Sequence, residues 1–291
     1  MEIKINGQTA DVTIDSEKTV GEVMAGLEQW LANSGHRLSG LAIDGQTINA
    51  SSMEEAFSRD IDAVKVLDLH TSPLAELAVM SLLHLLDDIE EYENLGFEEK
   101  KIFHENWKQK PQALFAAEQM PDLFSLCGKT FSGGVSCEVL RSVTEERLRE
   151  IKEPVVEFTA LRPLLDEICA RLIDLPLDIQ TGKEGRAAQT IQIFSGIAEK
   201  ILRVILQLDI QGYMPRVLKT ETLEKPVLEK PVLQQINEFG TAVKELLEAY
   251  EKNDSVLIGD MAEYEMAPKL MELYNIMVKN CCETADAQGM K

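Results

Sequence analysis

The chain is predicted to be α+β, with a strand-rich head over residues 1–70 and an all-helical region over residues 72–283. Three observations lead there. Apolar residues alternate with polar ones at the amino terminus, the period of a half-buried strand. From Thr19 the spacing turns helical behind a capping pair, Thr19 and Glu22. Beyond Pro73 the apolar residues keep helical spacing as far as Cys281.

Met1, Ile3 and Ile5 form the first alternating run and Ala10, Val12 and Ile14 the second, with Asn6-Gly7 between them where a tight hairpin needs positive φ. Val20, Val23, Met24, Leu27, Trp30 and Leu31 then make one helical face, which Gly35 is placed to end. Leu41 and Ile43 lead through Asp44-Gly45 to Thr47 and Ile48, a second hairpin. Ser52 and Glu55 make another capping pair before a short helix, and Val64, Val66 and Leu69 supply the closing strand.

Ser72 as N-cap and Pro73 at the first helical position open a long helix through Tyr92. Residues Phe97 to Gln109 and Gln112 to Leu126 read as shorter helices, followed by a break at Ser132-Gly133-Gly134 and a charged, solvated helix from Thr144 to Ile151. After Pro154 four stripes repeat at steps of three and four. They are Phe158 to Leu175, Ala187 to Leu208, Val232 to Tyr250, and a last one through Leu257, Asp260, Tyr264, Ala267, Met271, Tyr274, Val278 and Cys281. Equal periods and short connections predict an antiparallel four-helix bundle over residues 154–282, its helices crossing at about 20°. The long connection, 209–230, holds the first copy of a Glu-Lys-Pro-Val-Leu unit that recurs at once, and it is expected to be an extended crossover or a slipped duplication. Residues 284–291 are expected to be a disordered tail.

The order of two strands, helix, two strands and a closing strand resembles the β-grasp fold shared by ubiquitin, bacterial ubiquitin-like proteins and the small sulfur carriers. Carriers and conjugated ubiquitins react through a free terminal Gly-Gly, whereas this chain runs from Leu69-His70-Thr71 into Ser72-Pro73 and a helix. The resemblance therefore implies a docking module, not a carrier. The helical half is similar to uncharacterised bacterial helical proteins in Gln180-Thr181-Gly182-Lys183 and in Asp260-Met261-Ala262-Glu263-Tyr264-Glu265.

A formal net charge of −21 opposes phosphate backbones and anionic lipid, so no nucleic acid and no membrane is expected as a partner. A basic or helical protein partner fits that charge. Five cysteines without C-x-x-C spacing suit a reducing compartment, and neither a leader nor an apolar run of about 18 residues is seen, which predicts a cytoplasmic protein. The four histidines are dispersed and no Glu-x-x-His pair faces another, so no metal or other cofactor is expected.

Two places invite a binding reading. Lys183 and Arg186 stand at a helix start whose free amides could hold an anion, or the start is an ordinary one. Asp260 interrupts an apolar stripe beside Glu263 and Tyr264; buried, it would need a donor such as Arg203, Arg186 or Tyr264, and otherwise it is partly wet and favours the helix dipole. Pro268 should bend the helix. With no nucleophile elbow, phosphate loop or dinucleotide fingerprint, no catalytic residue is assigned, and the chain reads as a non-enzymatic adaptor or scaffold acting through protein recognition. A secretion or flagellar-type export chaperone for an amphipathic helix is the alternative, and a small-ligand enzyme with an interdomain pocket is the third reading.

Overall fold

The computed structural model describes the chain apart from residues 13, 15, 50, 51, 215, 216, 223, 224, 253 and 288–291; the side chains of 32, 33, 217–222, 225–233, 280 and 282–287 are also outside the description. Among the described residues the protein is α+β, a five-stranded sheet followed by a mostly helical region. Its internal contacts divide it into two compact units, Met1–Thr144 and Glu145–Lys291.

The first unit opens with β1 (Glu2–Ile5) and β2 (Gln8–Thr9), joined by Asn6 and Gly7 at φ +50° and +78°, the left-handed pair a two-residue hairpin of this twist requires. Helix α1 (Val20–Asn33) follows. Thr19 Oγ1 accepts the Glu22 amide at 3.3 Å, but the Glu22 carboxylate reaches back to the amide of Lys18 at 2.6 Å, one residue earlier than a capping box would place it. Gly35, at φ +72°, turns the chain into β3 (His36–Ile43). Asp44-Gly45, again both left-handed, leads to β4 (Gln46–Thr47). Helix α2 (Met53–Phe57) comes next, but no side-chain bond from Ser52 caps it, so the second capping pair does not form.

The closing strand β5 (Val66–Pro73) lies in the middle, parallel to β1 and antiparallel to β3, giving the order β2-β1-β5-β3-β4. The two turn residues with positive φ also fasten it. Asn6 Oδ1 accepts the Thr71 amide at 2.8 Å, and Asp44 Oδ1 accepts those of Lys65 and Val66 at 2.9 and 2.8 Å. One face of the sheet buries Ile3, Leu41, Ile43, Leu67 and Leu69 against Val20, Met24, Leu27 and Leu31 of α1.

Pro73 still pairs with His36, so helix α3 (Leu74–Asn94) starts one residue later than Ser72-Pro73 suggested. The stretch expected as a single helix from Gln112 to Leu126 is two, α5 (Pro111–Gln119) and α6 (Pro121–Phe131), because Pro121 lacks the amide that would continue the first and sits at the first position of the second. With α4 (Phe97–Trp107) these helices enclose Tyr92, Phe103, Trp107 and Phe131, whose neighbouring ring centroids lie 5.1–5.3 Å apart. Helix α7 (Cys137–Lys152) begins seven residues before the expected Thr144 and is not solvated all round, since Thr144, Arg147 and Glu150 are buried.

In the second unit α8 (Pro154–Thr159), α9 (Arg162–Gln180), α10 (Glu184–Ile210), α11 (Val232–Glu251), α12 (Ser255–Asp260) and α13 (Ala267–Ala287) share one apolar core. Phe158, Leu165, Phe194, Leu208, Phe239, Leu246, Met266 and Leu270 are among its buried members. The connection before α11 is not an extended crossover: β6 (Val217–Thr222) and β7 (Lys225–Pro231) pair antiparallel. Residues 284–287 of the expected tail belong to α13, and 288–291 lie outside the described residues.

The last stripe needs correction. Between α12 and α13 runs a π-helical segment, Met261–Met266; burial recurs every fourth residue at Ile258, Ala262, Met266, Leu270 and Tyr274, with Met261, Ala267, Leu273 and Met277 buried beside them. In a regular α-helix such a run would drift round the axis; the wider π turns absorb the additional residues. Leu257, Asp260 and Tyr264, expected on the inner seam, are therefore exposed. Pro268, which has no amide to give to Tyr264 four residues back, stands just past the irregular turn. No helix among the described residues is long and apolar enough to cross a membrane.

Candidate functional site

The helix start at Lys183 and Arg186 is occupied from within. Asp178 lies three residues after Leu175 on the inner face of α9 and is 2% exposed. Arg186 Nε stands 3.0 Å from its Oδ2 and Lys183 Nζ 3.7 Å from its Oδ1, while the amide of Lys183 donates to its carbonyl at 2.8 Å. Arg186 also faces Asp174 at 3.7 Å. These two bases compensate a buried carboxylate, which otherwise would be costly to keep ionised, and so the anion reading loses its cations.

Asp260 is exposed, the wet alternative, and Tyr264 is 68% exposed. A hydrogen bond from its phenol to Glu263, followed by the charges of Glu263 and Asp260, raises the Tyr264 pKa. Of the donors considered for Asp260, Arg186 serves Asp178 and Arg203 serves Glu150. The five residues singled out by sequence thus fall into two groups: Lys183 and Arg186 on an internal acid, Asp260, Glu263 and Tyr264 along the π segment.

Two further buried acids gave no periodic signal. Asp88 accepts from Trp107 Nε1 at 3.0 Å, from Lys110 Nζ at 2.7 Å and from Gln112 Nε2 at 2.7 Å, a fully bonded carboxylate inside the aromatic cluster. Glu150, 2% exposed, takes both arms of Arg203 at 3.0 and 3.1 Å and has Arg147 Nη1 at 3.6 Å. Lys200 bridges the neighbouring Glu146 at 2.6 Å and Glu157 at 3.5 Å. Burial pushes the Glu150 carboxyl up to about 7; Arg147 and Lys200 oppose this, and Glu146 and Glu157 add to it.

The feature most suited to an outside ligand is in the first unit. Trp30, near the end of α1, is 56% exposed, whereas the other tryptophan, Trp107, is wholly buried. Beside it a hollow of about 590 Å³ opens between α1 and the chain leaving β2. Its apolar part is made by Ile5, Val12, Ile14, Val23 and Leu27, and Asp11 and Glu17 also line it. Gly26 leaves the helix side open, as nothing lies within 4 Å of where its Cβ would be. A second hollow of about 480 Å³ shares Ile5, Ala10 and Trp30 and continues along Gln8, Thr9 and Ser34. The sequence shows Trp30 as one more apolar residue of a helical face; only its exposure marks it.

In the second unit a groove of about 630 Å³ runs between α9, α10 and α12, with Leu175, Ile179, Ala187, Ile191, Tyr250 and Ile258 around it. No group of histidine, cysteine, aspartate and glutamate that could hold a metal occurs among the described residues. Among the described residues Cys127, Cys137 and Cys169 are free thiols.

Comparison with known proteins gives relatives but no activity. Residues 1–73 match the family model described as the TP0873 N-terminal domain, and residues 158–276 match a domain of unknown function, DUF8042. No solved structure matches the chain. An uncharacterized protein of Treponema pallidum (strain Nichols) is similar over 274 residues, at 22% identity, covering 94% of either chain, so the likeness runs through both the sheet and the helical half of a bacterial protein of the same length class.

Proposed function

We propose that this protein is a non-enzymatic adaptor or scaffold whose amino-terminal unit presents a β-grasp docking module and whose second unit is built on an antiparallel four-helix bundle. The β-grasp reading is supported by the order β2-β1-β5-β3-β4, by the parallel pairing of the first and last strands, and by one helix packed across the sheet. The bundle reading is supported by the single core shared by α9, α10, α11 and the α12–α13 helix. The observation that carries the functional reading is the half-exposed Trp30 beside an apolar hollow. Large aromatic side chains are enriched among the few residues that dominate interface energies, and Trp30 leaves 56% of its surface open next to that hollow. A cytoplasmic setting with a protein partner, basic or helical, suits the free thiols and the net charge of −21.

The test is a paired capture from native lysate with the wild-type chain and Trp30→Ala, both checked for the same thermal midpoint. We expect a stoichiometric protein held by the first and lost, by about tenfold or more, from the second. Identical captures would remove Trp30, and with it the reading.

A second reading, the export chaperone, is favoured by the groove between α9, α10 and α12, whose wall at Gly185, Ala187 and Ala188 has the small residues that let a helix approach closely. Placing an arginine at Ala188 would block that groove and spare the hollow at Trp30, so the two readings separate. The small-ligand enzyme is the least supported, because Asp260 and Tyr264 are exposed while Lys183 and Arg186 are engaged by Asp178.

A further inference from the structure

We infer that the hollow at Trp30 receives a cationic apolar segment of a partner polypeptide, with a lysine or arginine laid on the indole between Asp11 and Glu17 and an aliphatic neighbour seated over Ile5, Val23 and Leu27. The inference rests on the recognition reading and names the chemistry of its partner. Three features of the hollow select that occupant together. The exposed indole of Trp30 offers the aromatic face that binds a cation best. The ionisable groups among the described lining residues are two acids, Asp11 and Glu17, and no base, although Glu17 also accepts the amide of Ser16 at 3.0 Å. The remaining lining is aliphatic, so an all-polar basic peptide would leave apolar surface wet, and an acidic one would meet like charge. The net charge of −21 acts in the same direction over longer range, drawing a positive segment in and turning a negative one away.

Trp30 reports on its own occupancy, since Trp107 is buried in another core and contributes a constant background to the emission. The full chain is titrated with three acetylated, amidated peptides of one length: Gly-Lys-Leu-Lys-Leu-Gly, its glutamine counterpart and its glutamate counterpart. The lysine peptide should shift the emission saturably and bind about tenfold more tightly than the glutamine peptide, while the glutamate peptide leaves the signal unchanged. That advantage should shrink as salt is raised and should disappear in a chain carrying both Asp11→Asn and Glu17→Gln. Equal binding of the lysine and glutamine peptides would overturn the cation while leaving the groove as a recognition site. Equal calorimetric affinity of the lysine peptide for wild type and Trp30→Ala would show attraction to the acidic surface at large and overturn the inference. Silence toward every peptide overturns it as well, and the paired capture with Trp30→Ala then decides separately whether the recognition reading survives.

Discussion

Glu150 shows how a single side chain can set a pH dependence. Burial moves its carboxyl from the ordinary 4.5 up to about 7, against the pull of Arg147. In the unfolded chain the proton leaves near 4.5, so between these values the folded state binds more protons. The stability contributed by the protonated carboxyl is fully present below about pH 4.5 and is lost as the pH rises through about 7. Glu150→Gln keeps the shape and removes the titration. The difference in urea-unfolding free energy between about pH 5 and about pH 8 should therefore be smaller in the variant by about 1–3 kcal/mol. An unchanged difference would exclude Glu150 as the titrating group. Asp178 and Asp88 are each held by two or three donors, Lys183 and Arg186 for one, Trp107, Lys110 and Gln112 for the other.

At the scale of elements the passage from α12 through the π segment into α13 packs along α9. Pro176 sits inside α9, and Gly259 faces it so closely that an added Cβ would lie 3.3 Å from Pro176 Cβ and 3.5 Å from its Cγ. Proline ring and backbone are both stiff, so the neighbour cannot yield easily. Gly259→Ala should lower stability by about 1–3 kcal/mol, read as a fall in thermal midpoint, despite the better helix propensity of alanine. A midpoint that rises would show the contact to be loose. The hairpins differ, since Asn6-Gly7 and Asp44-Gly45 adopt the left-handed pairs their own residue types favour, and their side-chain bonds to Thr71, Lys65 and Val66 add to a turn already set locally.

For the whole molecule the dominant electrostatic fact is a net charge of −21. Much of it faces solvent, and like charges at this density repel one another in the compact state. Raising the ionic strength from about 0.01 M to about 0.15 M shortens the screening length from about 30 Å to about 8 Å and should raise the thermal midpoint by a few degrees. A midpoint that falls with added salt would mean that the ion pairs around Glu150 and Asp178 outweigh the surface repulsion. The same charge gives the groove at Trp30 its preference for a cationic partner.

From the sequence alone the chain determines the order of strands and helices in the head, both hairpin turns, and the inward stripes from Phe158 to Leu175 and from Ala187 to Leu208, because turns and periodicity are decided by residues a few positions apart. Tertiary contact decided the rest. Which acids are buried depends on bases that arrive from other helices, as Arg203 does for Glu150. The inner face of the last helix was displaced by a π segment next to a proline-bearing neighbour, taking Leu257, Asp260 and Tyr264 to the outside. Trp30 looked like core and is half in water, since a helical stripe says which side of a helix is apolar but not where the sheet beneath it ends.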